Sequence, residues 1–326
     1  MASKRIEWID LAKGFCILLV VQFHVSGYAG ISFPGSMQIH TFRMPLYFIL
    51  SGLFFKQYEG FVGFLKRKIN KLLIPFLFFF IVTSLIPYWM LGHKFEWPIV
   101  NDVYPAFNEP IWFLLCLFEM NVLFYVIQLV AGTISQRLKT IMVLALTILC
   151  GIGGLALSVN QINLPLYFGS ALSALPFFAF GWWLRNHTQF LAYEVNLYRD
   201  IPLLVGCGLV VWLLASQVNY GKNVYDVHGI WSIYFTGIAG TVMVLSLSRI
   251  IKRIPGVSFW GRYSIIILCT HYVVLQPLFV IFMKRLSGVA LMCAVFVATM
   301  VTCHFLILFM KRYMPHVTAQ KDVIRI

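Results

Sequence analysis

The sequence predicts an all-α, polytopic integral membrane protein, and three observations carry that prediction. Hydrophobic residues make up 60% of the 326 positions and charged residues only 11%, with a mean hydropathy of +0.85. No soluble domain of this length has so apolar a composition. Apolar runs of about 20 residues, the length that crosses a hydrocarbon core as a helix, recur along the whole chain. The basic residues between those runs fall in a one-sided pattern.

Ten spans are expected, at residues 8–28, 41–56, 70–90, 110–131, 139–158, 164–184, 201–217, 229–248, 263–283 and 287–310. The second and seventh are short for full spans. The first is a retained helix and not a signal peptide, because Asp10 and Lys13 intrude on it and no small-residue cleavage site follows. Pro45, Ser51 and Gly52 in the second permit a bent helix packed closely on its neighbours. No internal repeat or separate soluble domain is evident, so residues 1–326 read as a single transmembrane domain.

Charge supplies the orientation. With ten spans and the N-terminus inside, twenty of the twenty-five Lys and Arg residues, Arg185 among them, fall on the inner side. Arg43, Lys94, Lys222, Lys284 and Arg285 stay outside. The positive-inside rule then places both termini in the cytoplasm. This distribution also explains the net charge of +14 without nucleic acid as a partner. The seven cysteines all lie in apolar segments and form no Cys-x-x-Cys or Cys/His cluster, so they read as small buried hydrophobes and no metal site is expected.

The polar residues inside these spans carry the functional signal. Lys13 and His24 stand eleven residues apart in the first span. That is about three helical turns, so both lie on one stripe, ~16 Å apart along the axis, with Asp10 close to it. Ionisable groups are costly in a bilayer, and an aligned trio points to function. The alternative is that Asp10 and Lys13 are interfacial, with Lys13 snorkelling, and His24 reaches the far interface. Lys68 and Lys71, three apart before Pro75, share one helix face and form an anion site, or else a topogenic cluster on lipid heads. Arg43, His40 and His24 set three polar heads near the outer boundary. Glu119, near the middle of the fourth span, needs a partner or a proton, and His271 lies well inside the ninth. His304, in the last span, reads as an interhelical tie. Two outer loops, His93–Glu109 and Asn219–His228, mix aromatic rings with carboxylates and amides in a way that suits sugars or an interfacial belt.

In order along the chain, these segments resemble the integral-membrane acyltransferase-3 family. Lys13 to His24 is similar to its first-helix motif of a basic residue, ten residues and His, with Lys in place of the commoner Arg. Met44-Pro45-Leu46-Tyr47-Phe48-Ile49-Leu50-Ser51-Gly52 resembles its second helix, Lys68, Lys71 and Pro75 its basic pair, Trp112-Phe113-Leu114 its tryptophan helix, and Arg262-Tyr263-Ser264 through His271 its late segment. Asp10-Leu11-Ala12-Lys13-Gly14 is closest to the fucose 4-O-acetylase-like branch, which commonly has His where this chain has Arg43, so no particular sugar is carried over. The resemblance implies an O-acyltransferase of a multi-pass membrane, expected to be a bacterial inner membrane. It implies acetyl-CoA as donor and a sugar hydroxyl of a carbohydrate or glycolipid as acceptor.

Those chemistries assign roles. A hydroxyl needs a base within hydrogen-bond reach, and His24 is the candidate. Glu119 and His271 are the further catalytic candidates, Lys13, Lys68 and Lys71 the donor-binding ones, and Arg43 and Trp112 the substrate-binding ones. A transporter or flippase for a glycolipid is the rival reading, since intramembrane charges also line substrate paths. A lipid-dependent scaffold for a polysaccharide synthase is another.

Overall fold

The computed structural model describes residues 6–32, 35–58, 60–90, 92, 108–132, 136–191, 194–217 and 230–325. These residues form helices and no strand. The long elements are α1 (Glu7–Ala29), α2 (Ser36–Leu53), α3 (Gly60–Met90), α4 (Trp112–Ala131), α5 (Gln136–Val159), α6 (Phe168–His187), α7 (Leu197–Leu214), α8 (Ile230–Ile251), α10 (Ser264–Phe282) and α11 (Gly288–Tyr313). A short α9 (Pro255–Arg262) links α8 to α10. Each long element overlaps one of the expected spans, with α2 and α7 starting five and four residues earlier and α3 ten residues earlier than its apolar run. The loop readings at 93–107 and 219–228 lie outside the described residues.

Among the described residues, eight helices are long and apolar enough to span a membrane; α2 and α6 fall short of that apolarity. The reason is where they sit. α2 packs against α1, α6 and α8, and α6 against α2, α4 and α5, so their polar and small residues meet protein instead of lipid. By contrast α7 buries only 11% of its apolar window and presents the rest outward. α1 is central, packed against α2, α8, α9, α10 and α11.

Small residues set the α2–α6 crossing. Gly52 of α2 meets Gly181 of α6 back to back: a Cβ at Gly52 would overlap the Phe178 carbonyl, and one at Gly181 the Ile49 carbonyl. The Ser51-Gly52 pair thus gives the close packing its sequence suggests.

α3 is one helix with two π turns, Ile69–Leu73 and Ile81–Leu85. Each ends two residues before a proline, Pro75 or Pro87. A proline lacks the amide hydrogen for its i−4 carbonyl and crowds that carbonyl, and a wider turn accommodates it without ending the helix. The C-terminal segment returns to the first π turn. The buried Asn70 donates from Nδ2 to the Ile324 carbonyl (2.8 Å) and accepts on Oδ1 from the Val323 and Ile324 amides (both 2.9 Å). One end of the bundle therefore holds the C-terminal segment and the Lys66–Lys71 cluster together. A bridge from Arg253 to Glu7 (3.4 Å) joins the loop before α9 to the start of α1.

Candidate active site

α1 and α2 run side by side with their polar residues facing each other. The Cys16 thiol of α1 donates to the Arg43 carbonyl of α2 (2.9 Å), and the Tyr47 hydroxyl of α2 reaches the Lys13 carbonyl (3.4 Å). These bonds fix His24 opposite the Arg43 end of α2 and Lys13 opposite its Phe54 end. The ~16 Å stripe expected from helix rise is thereby walled by a second helix.

Three helices meet at His24. Its half-buried ring lies 5.3 Å from the His271 ring of α10 and 5.2 Å from that of Tyr272 (centroid distances). Phe23 carries the Arg43 guanidinium over its face, at 3.2 Å from Cζ to centroid, and touches His40 at 4.8 Å. His24, His40, Arg43 and His271 thus form one cluster spanning α1, α2 and α10.

His271 is fully buried, and its Nδ1 lies 2.7 Å from the Ile267 carbonyl. A carbonyl only accepts, so Nδ1 carries the hydrogen and neutral His271 keeps Nε2 as an acceptor. That nitrogen is buried with no hydrogen-bond partner among the described residues. Two residues earlier in α10, the Cys269 carbonyl accepts from Asn108 (3.0 Å), which also donates to Thr83 Oγ1 in the second π turn of α3 (2.8 Å), while its Oδ1 is buried without a partner among the described residues. Asn108 escaped the sequence reading because only a contact 161 residues away gives it meaning. Its one local signal is the Asn-Glu-Pro start of a short turn before α4.

Glu119 does not join this cluster. It lies half-buried in α4 one turn from the Cys116 thiol, with Oε2 buried and unbonded among the described residues. Trp112, at the start of α4, stacks near Tyr167 (5.6 Å) and Phe113 (6.2 Å). Phe113 in turn touches Tyr47 (5.5 Å), so Trp112 stands one aromatic layer away from α2. His304 accepts from Trp260 Nε1 (3.2 Å), which is the interhelical tie its sequence position suggests.

At the other end, Lys13 Nζ lies 5.4 Å from the Phe54 ring centroid. Lys68 and Lys71 do not act as the stacked pair expected of an α-helix. The π turn begins right after Lys68 and advances fewer degrees per residue, so a three-residue spacing no longer stacks. Lys68 lies over Phe64 (5.6 Å), whereas Lys71 donates to the Ala319 carbonyl (2.8 Å) and pairs with Asp322 (3.0 Å). Both partners of Lys71 belong to the returning C-terminal segment.

An Acyltransferase domain model, that of the acyltransferase-3 family, matches residues 6–308, nearly the whole chain. The chain belongs to this acyltransferase family. No curated protein and no solved structure matches it. The matched region of this membrane acyltransferase runs from α1 into the last helix, α11, and contains His24, His40, Arg43 and His271, while the docked C-terminal segment lies beyond it.

Proposed function

We propose that this acyltransferase moves an acetyl group from cytoplasmic acetyl-CoA to a sugar hydroxyl of a cell-envelope or secreted polysaccharide, in a bacterial inner membrane with both termini inside. The observation that carries the reading is the α1 stripe. A histidine in contact with a second histidine sits three turns from a lysine on the same helix, and α2 lines both. The phosphates of the donor lie toward Lys13, and the pantetheine arm runs along the stripe to bring its thioester to His24.

His24 takes the proton of the acceptor hydroxyl as the oxygen attacks the thioester carbonyl carbon. The tetrahedral intermediate collapses with rupture of the C–S bond, and the His24 imidazolium returns the proton to the departing thiolate as CoA thiol. His271 is a positioning residue, with Nδ1 held by the Ile267 carbonyl and an Nε2 lone pair that favours the transient imidazolium at 5.3 Å. The Arg43 charge favours the developing oxyanion or an acidic group on the acceptor.

His271→Phe keeps the aromatic packing but removes the acceptor nitrogen. It should lower kcat by about ten-fold or more with little change in the KM for acetyl-CoA. An unchanged kcat returns His271 to a purely structural role. The direction of the bundle is tested by labelling single cysteines placed at Tyr104 and Lys252 in intact cells. A membrane-impermeant maleimide should react at Tyr104 and not at Lys252, and the reverse pattern inverts the topology. Mass spectrometry of surface glycans with and without the protein should show a 42 Da difference per acetylated sugar; identical glycans contradict the acceptor class.

Asp322→Asn should leave folding intact, since an exposed ion pair contributes only about 0–1 kcal/mol. It should lower the KM for acetyl-CoA if Lys71 contributes to donor binding. An unchanged KM removes Lys71 from the donor site and leaves it as an anchor for the C-terminal segment.

A further inference from the structure

The Gly52–Gly181 crossing places one more cation at the donor end. Arg185 lies one helical turn after Gly181 in α6, and its Nη1 donates to the Leu53 carbonyl at the end of α2 (3.0 Å). Its Cζ is 5.7 Å from the centroid of the Phe54 ring, the ring that Lys13 Nζ approaches to 5.4 Å. Two cations from different helices therefore converge on one side chain at the membrane boundary.

Some basic residues have carboxylates, Arg253 with Glu7, Arg199 with Asp200 and Lys71 with Asp322, whereas Arg67 and Lys68 lie over the Tyr58 and Phe64 rings. Among the described residues Arg185 has no carboxylate. Its hydrogen bond to the Leu53 carbonyl uses one of five guanidinium N–H donors, and the side chain is half-buried and not fully solvated. Its charge also falls at the C-terminus of α2, where a helix favours a cation. Capping α2 accounts for one N–H but not for the convergence with Lys13. Like charges held together by rigid helices form a site for an anion that bridges them, and a guanidinium presents paired donors that suit phosphate oxygens.

The geometry points to Arg185, with Lys13 across the Phe54 ring, as the site that holds a phosphate ester, which we assign to the nucleotide end of the acyl donor. This rests on the proposal that the donor is acetyl-CoA. It assigns the main phosphate contact to α1 and α6, in place of the Lys68–Lys71 pair read from the sequence. The same phosphate chemistry could be supplied by an anionic lipid headgroup, and the test separates the two.

Binding of tritiated CoA is measured on the full-length protein in nanodiscs of phosphatidylcholine alone. Arg185→Gln, which removes the charge and the paired donors, should weaken CoA binding by ~10- to 100-fold. Arg253→Gln should leave it unchanged. Binding of acetyl-pantetheine, which lacks the nucleotide, should be the same in wild type and Arg185→Gln. Arg185→Lys keeps the charge without the paired donors and should fall between the two; it supplies the reading if Arg185→Gln does not fold. Wild-type affinity for CoA in a folded Arg185 variant overturns this inference while leaving the donor proposal intact. Absence of CoA binding by the wild type overturns the donor proposal, and this assignment with it. If the Arg185 variants retain CoA but lose co-purifying phosphatidylglycerol by native mass spectrometry, the site belongs to a lipid and the inference is overturned.

Discussion

Replacing His24 by alanine is expected to lower acyl transfer by ~10²- to 10⁴-fold, the range for removing a general base from a reaction that needs one. The size of the effect follows from the chemistry of the acceptor. A sugar hydroxyl is almost wholly protonated near neutral pH, so its attack on a thioester depends on a base at bonding distance. Among the described ionisable groups around His24, Arg43 cannot serve as a base, His40 packs on the Phe23 ring, and the free Nε2 of His271 is fully buried. The loss should appear in kcat. The KM for acetyl-CoA should change little, because the proposed donor-phosphate site lies near Lys13, ~16 Å along the helix axis. The ring of His24 is half-buried at the edge of α1, so its removal should not unfold the bundle. His24→Gln, which retains a polar group without useful basicity, should be as inactive as His24→Ala. Acetyl transfer from labelled acetyl-CoA in membranes checks this, normalised to folded protein by size-exclusion profile. Activity within three-fold of wild type in either variant removes His24 from the base role.

The largest effect on stability is expected at Gly52. A valine there puts Cβ onto the Phe178 carbonyl oxygen, and two methyl groups besides, at a crossing where α2 and α6 meet backbone to backbone. Neither helix can yield locally: α2 is also held by α1 and α8, and α6 by α4 and α5. Overpacking of this kind costs about 1–3 kcal/mol or more, which in a protein of this size corresponds to a fall in Tm of several degrees. Gly27→Ala in α1 is the control. A Cβ at Gly27 meets nothing, and alanine is the better helix former, so Tm should hold or rise slightly. Heating detergent-solubilised protein and measuring what remains monodisperse gives both numbers. Equal Tm values for Gly52→Val and wild type would mean that the α2–α6 crossing is looser than its backbone contacts indicate. The same variant should impair donor binding beyond its loss of stability, because the crossing sets Arg185 beside Phe54 and Lys13.

What the sequence made legible, and what it hid, divides by the range of the interaction. The spans were readable because a bilayer imposes one rule, about 20 apolar residues, on each segment separately. The Lys13–His24 stripe was readable because a helix fixes the angle between two residues of one segment. The prolines at 75 and 87 also stand in the sequence, yet a π turn in place of a kink is a choice made by the surrounding packing. That choice undid the Lys68–Lys71 pair, whose face-sharing assumed α geometry. The partners of Lys71 lie 248 residues or more away, and no local pattern announces them. Arg185 was visible only as one more charge on the inner side; the glycine crossing that gives it a ring and a neighbour belongs to the fold. His271 was correctly singled out as deep in its helix. That it would meet His24 follows from α10 packing on α1, which its own segment does not state.

The central claim is that an acyl group passes from a CoA thioester to a hydroxyl across the α1 stripe, with His24 as the base. It is tested most directly in inside-out membrane vesicles given [¹⁴C]acetyl-CoA, with released CoA thiol and alkali-labile label on glycan counted together. The account predicts equal amounts of thiol and glycan-bound acetyl from wild-type vesicles and neither above background from His24→Ala vesicles. Glycan acetylation without thiol release, or equal thiol release from both proteins, would contradict it.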